Sequence, residues 1–237
     1  FKLVHIMFSA RKFIEVATFR SSSTNPTSTK GMVLRDNFYG SLKDDVFRRD
    51  FTINGLYFDV KNSQVIDYVE GLDDLKKLQI NIIGDPYERF EEDPVRMIRA
   101  VRFKTKLKAS INSSLNKSIV KNAHLIANVP PARLYEEVIK LFHNENSLEV
   151  FRELSNLGLL KYLFSQTQED EFVSISLQNT SERIKIGSSV TPAFLFAVFL
   201  WSAQNKRFNE LKKKKMSHVE LMIKASEDVI KRQVQQV

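Results

Sequence analysis

With 237 residues and 27.5 kDa the chain is long enough for two modest domains, and a hydrophobic share of 43% supports real cores rather than wholesale disorder. Lys and Arg number 36 against 28 Asp and Glu, and the resulting net charge of +8 favours a polyanionic partner while saying nothing of fold. The absence of cysteine excludes a disulfide framework, a thiolate metal site and a cysteine nucleophile, and the seven glycines form no Gly-rich phosphate loop.

Residues 1–8 (FKLVHIMF) and 13–19 (FIEVATF) are rich in β-formers and predict two neighbouring strands of one sheet, joined by a short basic connector. Residues 21–30 (SSSTNPTSTK) are turn-formers without periodicity and predict a mobile loop. A strand is expected over 50–60, a short one over 64–68, a helical turn over 72–78, and a strand over 80–83 closed by Gly84-Asp85-Pro86. Beyond Pro86 the period changes. Residues 94–107, 115–127, 130–143 and 147–157 place apolar side chains three and four apart, with Pro94 and Pro130-Pro131 at helix starts. Helices over 180–186, 192–202 and 217–237 complete the pattern, so the fold class is α+β, with an α/β part to about residue 85 and an all-α remainder. The most apolar run, 192–201, is half of the roughly 18–20 residues that span a bilayer. No signal-peptide anatomy is seen, and a soluble cytoplasmic protein, a monomer, is expected. The chain opens inside a strand pattern and its last helix carries no stop signal, so both ends read as cut.

Several side chains invite chemistry. Arg48, Arg49 and Asp50 stand at the mouth of the apolar 51–56 run, either as an exposed ion pair capping a strand or as a carboxylate beside a bound anion. Glu15 interrupts the 13–19 strand. An acid buried there needs a cation, a metal or water, whereas the solvent face of an edge strand needs nothing. Glu92, Asp93, Arg96 and Arg99 lie on a helix expected to begin near Asp93, which puts Arg96 and Arg99 on one face and Asp93 a turn earlier. A carboxylate and a guanidinium together suit the Watson–Crick edge of a base. The alternative, acids at a helix N-terminus followed by solvated arginines, serves for Glu92 and Arg102. His5 has no ligand-spaced partner and reads as structural, not as a zinc ligand. The lysines at 104, 106 and 108, and those at 212–215, form either solvated faces or RNA-backbone contacts.

The run Arg48-Arg49-Asp50-Phe51-Thr52-Ile53-Asn54-Gly55-Leu56, followed by Glu92-Asp93-Pro94-Val95-Arg96-Met97-Ile98-Arg99, resembles the class II nucleotidyltransferases, the bacterial poly(A) polymerases and CCA-adding enzymes. The resemblance implies a partial polymerase-β-like nucleotidyltransferase head over 1–85, a helical neck for base recognition and RNA binding over 86–150, and a helical body over 151–237. It implies Asp50 as a catalytic-site acid, Arg48 and Arg49 as contacts to triphosphate and ribose, and Asn54 as a nucleotide-site residue that braces the nucleotide or the motif itself. Asp93, Arg96 and Arg99 become the protein template that selects the incoming nucleotide, and Lys104, Lys106 and Lys108 candidate RNA contacts. Within Ile14-Glu15-Val16-Ala17-Thr18-Phe19-Arg20, Glu15 becomes the third acid of a two-Mg²⁺ site. The family's other two acids, on a Gly-Gly-x-x-Arg-Asp and Asp-x-Asp segment ahead of this one, are not in the chain. As given it is expected to bind nucleotide weakly and catalyse nothing.

Residues 1–6, 31–40, 126–137 and 192–196 resemble the poly(A) branch. A template-independent adenylyltransferase acting on RNA 3′ ends with ATP is therefore the expectation, with a CCA-adding tRNA nucleotidyltransferase as the alternative. Readings from other classes are a catalytically inactive RNA-binding module and a helical scaffold for acidic proteins. Gly55 departs from the family pattern, where serine or alanine is commoner, and is expected to loosen its strand.

Overall fold

The computed structural model describes residues 3–9, 12–21, 28–29, 32–33, 38–213 and 215–234. Most of the loop expected over 21–30, much of the 31–40 stretch, residues 1–2 and Lys214 therefore lie outside the described residues. The chain divides into two compact units, Phe1–Asp93 and Pro94–Val237.

In the first unit, β1 (Leu3–Ser9) and β2 (Lys12–Ala17) form the expected antiparallel hairpin, with His5 opposite Glu15 and Ile6 opposite Ile14. Short strands follow: β3 (Arg20–Ser21), β4 (Ser28–Thr29), β5 (Met32–Val33) and β6 (Phe38–Tyr39), pairing β3 with β6 and β4 with β5. Helix α1 (Leu42–Phe47) begins in a capping box, in which Ser41 and Asp44 satisfy each other's backbone N–H groups. The strand expected over 50–60 is replaced by three pieces. Phe51 makes a single antiparallel bridge with Ile82, residues Thr52–Asn54 turn as a 3₁₀ helix, and only β7 (Tyr57–Asp59) pairs, with β8 (Gln64–Ile66). The cause is side-chain competition with the ladder: Asn54 Nδ2 donates to Asp50 Oδ1 at 3.0 Å, and Thr52 Oγ1 donates to Asp74 Oδ2 at 2.6 Å. Helix α2 (Gly71–Lys76) then lies hard against the 3₁₀ turn. A Cβ on Gly71 would stand 2.3 Å from the Thr52 carbonyl oxygen, so only glycine permits the approach. Gly55 is similarly crowded, since a Cβ there would meet Val69 Cγ2 at 2.8 Å. The small residue is therefore a packing requirement here, not a loosened strand. After β9 (Gln79–Ile80), Asp85 caps α3 (Pro86–Glu92) by accepting from the N–H groups of Tyr87 and Glu88, with Pro86 in the first turn. Val46, Phe51, Ile80, Ile83 and Phe90 make the core that fixes these pieces, each worth about 1.5–3 kcal/mol of burial.

The second unit is helical, as the three- and four-residue spacing requires. Helices α4 (Val95–Leu107), α5 (Ser113–Asn122), α6 (Pro131–Phe142) and α7 (Ser147–Asn156) fall on the four periodic segments, with the short strand β10 (Ser110–Ile111) after α4 and a 3₁₀ turn at Ala123–Asn128. Helix α8 (Leu160–Leu163) is a single turn. Helix α9 (Glu171–Lys185) is twice the length expected from 180–186, and α10 (Pro192–Leu211) and α11 (His218–Val234) pair along their lengths. Phe142, Phe151 and Phe164 gather around Phe199 with ring centroids 4.5–6.1 Å apart, and α4 packs on α6 and α7. Among the described residues no helix is long and apolar enough to cross a membrane.

Candidate nucleotide site

Asp50 is buried, 8% exposed, and its backbone is pinned on both sides. Its carbonyl accepts from Ile83 N–H at 2.9 Å, and the neighbouring Thr52 N–H donates to Asn81 O at 3.0 Å. Its Oδ1 accepts from the Phe51 N–H and from Asn54 Nδ2. Asn54 thus braces the carboxylate through a 3₁₀ turn that the periodicity did not show.

Arg48 and Arg49 turn toward an acid that the sequence reading had not singled out. Asp45 is buried in α1. Arg49 Nε and Nη2 donate to its Oδ2 at 3.2 and 3.1 Å, and Arg48 Nε lies 3.5 Å from its Oδ1. The Tyr57 hydroxyl donates to the same carboxylate and accepts from Arg49, while the Arg20 N–H adds a bond at 3.1 Å. Arg49 Nη1 donates to the Asn54 carbonyl at 3.0 Å, so Asp45, Arg49, Asn54 and Asp50 form one connected chain of bonds. Burial pushes the Asp45 carboxyl up, but the hydroxyl, the amide and the guanidinium outweigh it and hold it below the ordinary carboxylate value. The Tyr57 phenol moves the other way, raised by burial and by its bond to Asp45. No local spacing signals Asp45, because Arg20 and Tyr57 reach it only through the fold.

Arg89 was missed as well. Its Nη2 donates to the carbonyls of Arg48 and Arg49 at 2.9 and 2.6 Å, and its Nη1 pairs with Glu92 at 2.6 Å. Asp93 is not in a helix. It caps the end of α3 with extended backbone, and Pro94 separates α3 from α4. Arg96 and Arg99 lie half-buried on α4, in the second unit, and the Arg99 guanidinium stands 6.0 Å from the Phe103 ring centroid.

Glu15 sits on the exposed hairpin with 58% of its side chain in water and His5 Nε2 3.9 Å away. Among the described residues no group of three or more carboxylates and histidines could hold a metal ion. One exposed acid does not fit the two-ion arrangement, which needs clustered carboxylates. The three lysines separate. Lys104 is drawn into a 2.6 Å ion pair with Glu153, Lys106 lines a cavity of about 730 Å³ with Arg102, Phe103 and Lys140, and Lys108 ends α4 in the left-handed conformation, exposed.

Residues 1–81 match the family model described as the poly A polymerase head domain, and residues 110–170 the model described as the probable RNA and SrmB-binding site of polymerase A. Over 229 residues the chain is 39% identical to a poly(A) polymerase I of Haemophilus influenzae, an alignment covering 90% of this chain and 50% of that protein. The chain belongs to the poly(A) polymerase family. It spans about half the length of the curated relatives it matches. A CCA-adding enzyme of Ligilactobacillus salivarius is 38% identical over a shorter stretch, 62% of this chain and 36% of that protein. The structure of a tRNA nucleotidyltransferase complexed with a primer tRNA and an incoming ATP analogue shares the fold, with a TM-score of 0.65, 22% identity, and coverage of 96% of this chain and 77% of that one. The α+β nucleotidyltransferase fold expected from the two motifs is the fold observed. The poly(A) branch is favoured over the CCA branch by the extent of the match.

Proposed function

We propose that the protein carrying this chain is a template-independent polynucleotide adenylyltransferase that adds adenosines from ATP to RNA 3′ ends. The observation that carries this reading is the similarity to poly(A) polymerases across 90% of the chain, both motifs included. In the reaction the RNA 3′-oxygen bonds to the α-phosphorus of ATP, the bond to the bridging oxygen breaks, and pyrophosphate leaves.

Asp50 is the acid at the nucleotide, held in one rotamer by Asn54. Arg48 and Arg49 supply positive potential at the triphosphate end. With its Nε and Nη2 directed at Asp45 and Tyr57 and one Nη1 hydrogen at Asn54, Arg49 keeps its second Nη1 hydrogen for ligand. Asp93, Arg96 and Arg99 read the adenine edge. Glu15 is the carboxylate this chain would offer to magnesium, and among the described residues it has too few companions to hold the ion. Lys106 and Lys108 remain available to an RNA backbone, whereas Lys104 is engaged by Glu153. A cytoplasmic monomer with the domain limits 1–85, 86–150 and 151–237 completes the proposal.

Primer extension tests it. The protein carrying this chain should lengthen an RNA primer with ATP and magnesium, and Asp50→Ala should slow extension by at least about tenfold. Extension at the wild-type rate by a folded Asp50→Ala variant would return Asp50 to a structural role, and absence of extension by the wild type would overturn the reaction itself.

A further inference from the structure

Arg89 lies outside both nucleotide-reading motifs, yet it touches each. Its side chain donates from one nitrogen to two successive carbonyls, Arg48 O at 2.9 Å and Arg49 O at 2.6 Å, immediately ahead of Asp50. These carbonyls follow the end of α1, where the backbone has no helical partner to bond, and a guanidinium is a donor group rigid enough to serve both. Its other terminal nitrogen holds Glu92 at 2.6 Å, and its own carbonyl accepts the N–H of Asp93 at 3.2 Å. One residue thus grips the segment after α1 that presents Asp50 through its side chain, and the helix end that presents Asp93 through its backbone. The grip is shielded, since the Arg89 side chain is only 12% exposed.

We infer that Arg89 is a positioning residue that sets the spacing between Asp50 and Asp93, and through it the choice of base, without touching the nucleotide. This rests on the function proposed above, in which Asp50 is the acid at the nucleotide, next to the arginines of its triphosphate end, and Asp93 reads the base. Two acids on separate segments read one rigid ligand only if their separation is fixed, because a displacement of about 1 Å at one end is enough to spoil the contact at the other. The side-chain fork supplies that fixity, because one nitrogen bonds both carbonyls ahead of Asp50.

The test is single-nucleotide addition to an RNA primer with ATP, GTP, CTP and UTP in turn, by the protein carrying this chain and by its Arg89→Met and Arg89→Lys variants. Methionine keeps the side chain's length and apolar body but removes every donor. Lysine keeps the charge for Glu92 but cannot bond both carbonyls and the carboxylate as the fork does. The ratio of kcat/KM for ATP to that for each competitor is expected to fall fivefold or more in Arg89→Met and by a smaller factor in Arg89→Lys. A residue that merely stabilises the fold would reduce the active fraction, lowering kcat/KM for all four nucleotides by one common factor. Ratios unchanged in the variants would therefore overturn the inference even if both enzymes were slow. Should Arg89→Met fail to fold, the ratio in Arg89→Lys decides by the same criterion. A wild type without preference for ATP overturns the proposed function together with this inference, whereas a wild-type preference that persists in the variants overturns this inference alone.

Discussion

Asp45→Ala should loosen the first unit by about 3 kcal/mol. The carboxylate it removes is buried and receives the Tyr57 hydroxyl, the Arg20 N–H and the forked Arg49, with Arg48 3.5 Å away. Removing one partner of a buried pair costs about 3–5 kcal/mol, because the other charge is left in place. The lower end applies, since Arg49 keeps 40% of its side chain exposed and can rehydrate, whereas Arg48 at 12% cannot. Hydrogen–deuterium exchange reads the effect locally. Amides of 42–57 should exchange on the order of a hundredfold faster, while those of α6 and α7 in the second unit serve as the unperturbed control. The loss should also depend on pH. The folded Asp45 carboxyl titrates below its unfolded value of about 3.9, so its stabilisation is present above that pH and disappears as pH falls through the lower folded value. The difference between wild type and variant should therefore narrow below about pH 4. A change of less than threefold at neutral pH, or a difference that widened in acid, would refute the network as the support of Asp50.

Three further outcomes follow from the same geometry. Gly71→Ala should destabilise the first unit by about 1–3 kcal/mol in urea unfolding, because its Cβ would meet a backbone oxygen at 2.3 Å. An unchanged midpoint would show that α2 slides away without cost. Arg96→Ala should relax selectivity for ATP over the other ribonucleotides by about 1–3 kcal/mol, or roughly five- to 150-fold, in single-nucleotide incorporation. Equal slowing with all four nucleotides would move Arg96 to a phosphate or scaffold role, and Arg102→Ala, ion-paired to Glu137 at 3.2 Å, is the control expected to change selectivity little. Lys106→Ala should weaken RNA binding and lower its salt dependence by about one unit of slope, while Lys104→Ala should act chiefly on stability by freeing Glu153.

The helical half was legible because its signals are local. Apolar residues three and four apart, with Pro94 and Pro131 at helix starts, placed α4 to α7 within a few residues of their ends. The hairpin of β1 and β2 was legible from β-rich composition alone. What local patterns could not show were the short elements that shape the site. Helix α1 has six residues and helix α3 seven, too few for a period to declare itself, although Asp85-Pro86 was a readable start. The 50–60 segment looked like a strand because it is rich in β-branched and aromatic residues. Asp74 and Asn54 bent it into a turn through bonds that depend on tertiary neighbours. The groups that hold the motif residues, Asp45, Tyr57 and Arg89, became visible only with the fold.

The most direct test of the central claim uses one substrate and two nucleotides. A tRNA ending before its CCA is given ATP alone or CTP alone, and the products are sized. The protein carrying this chain is expected to add adenosine repeatedly, giving a distribution of tails, and to incorporate cytidine poorly. Efficient addition of two cytidines followed by a stop would contradict the account and assign the chain to the CCA-adding branch.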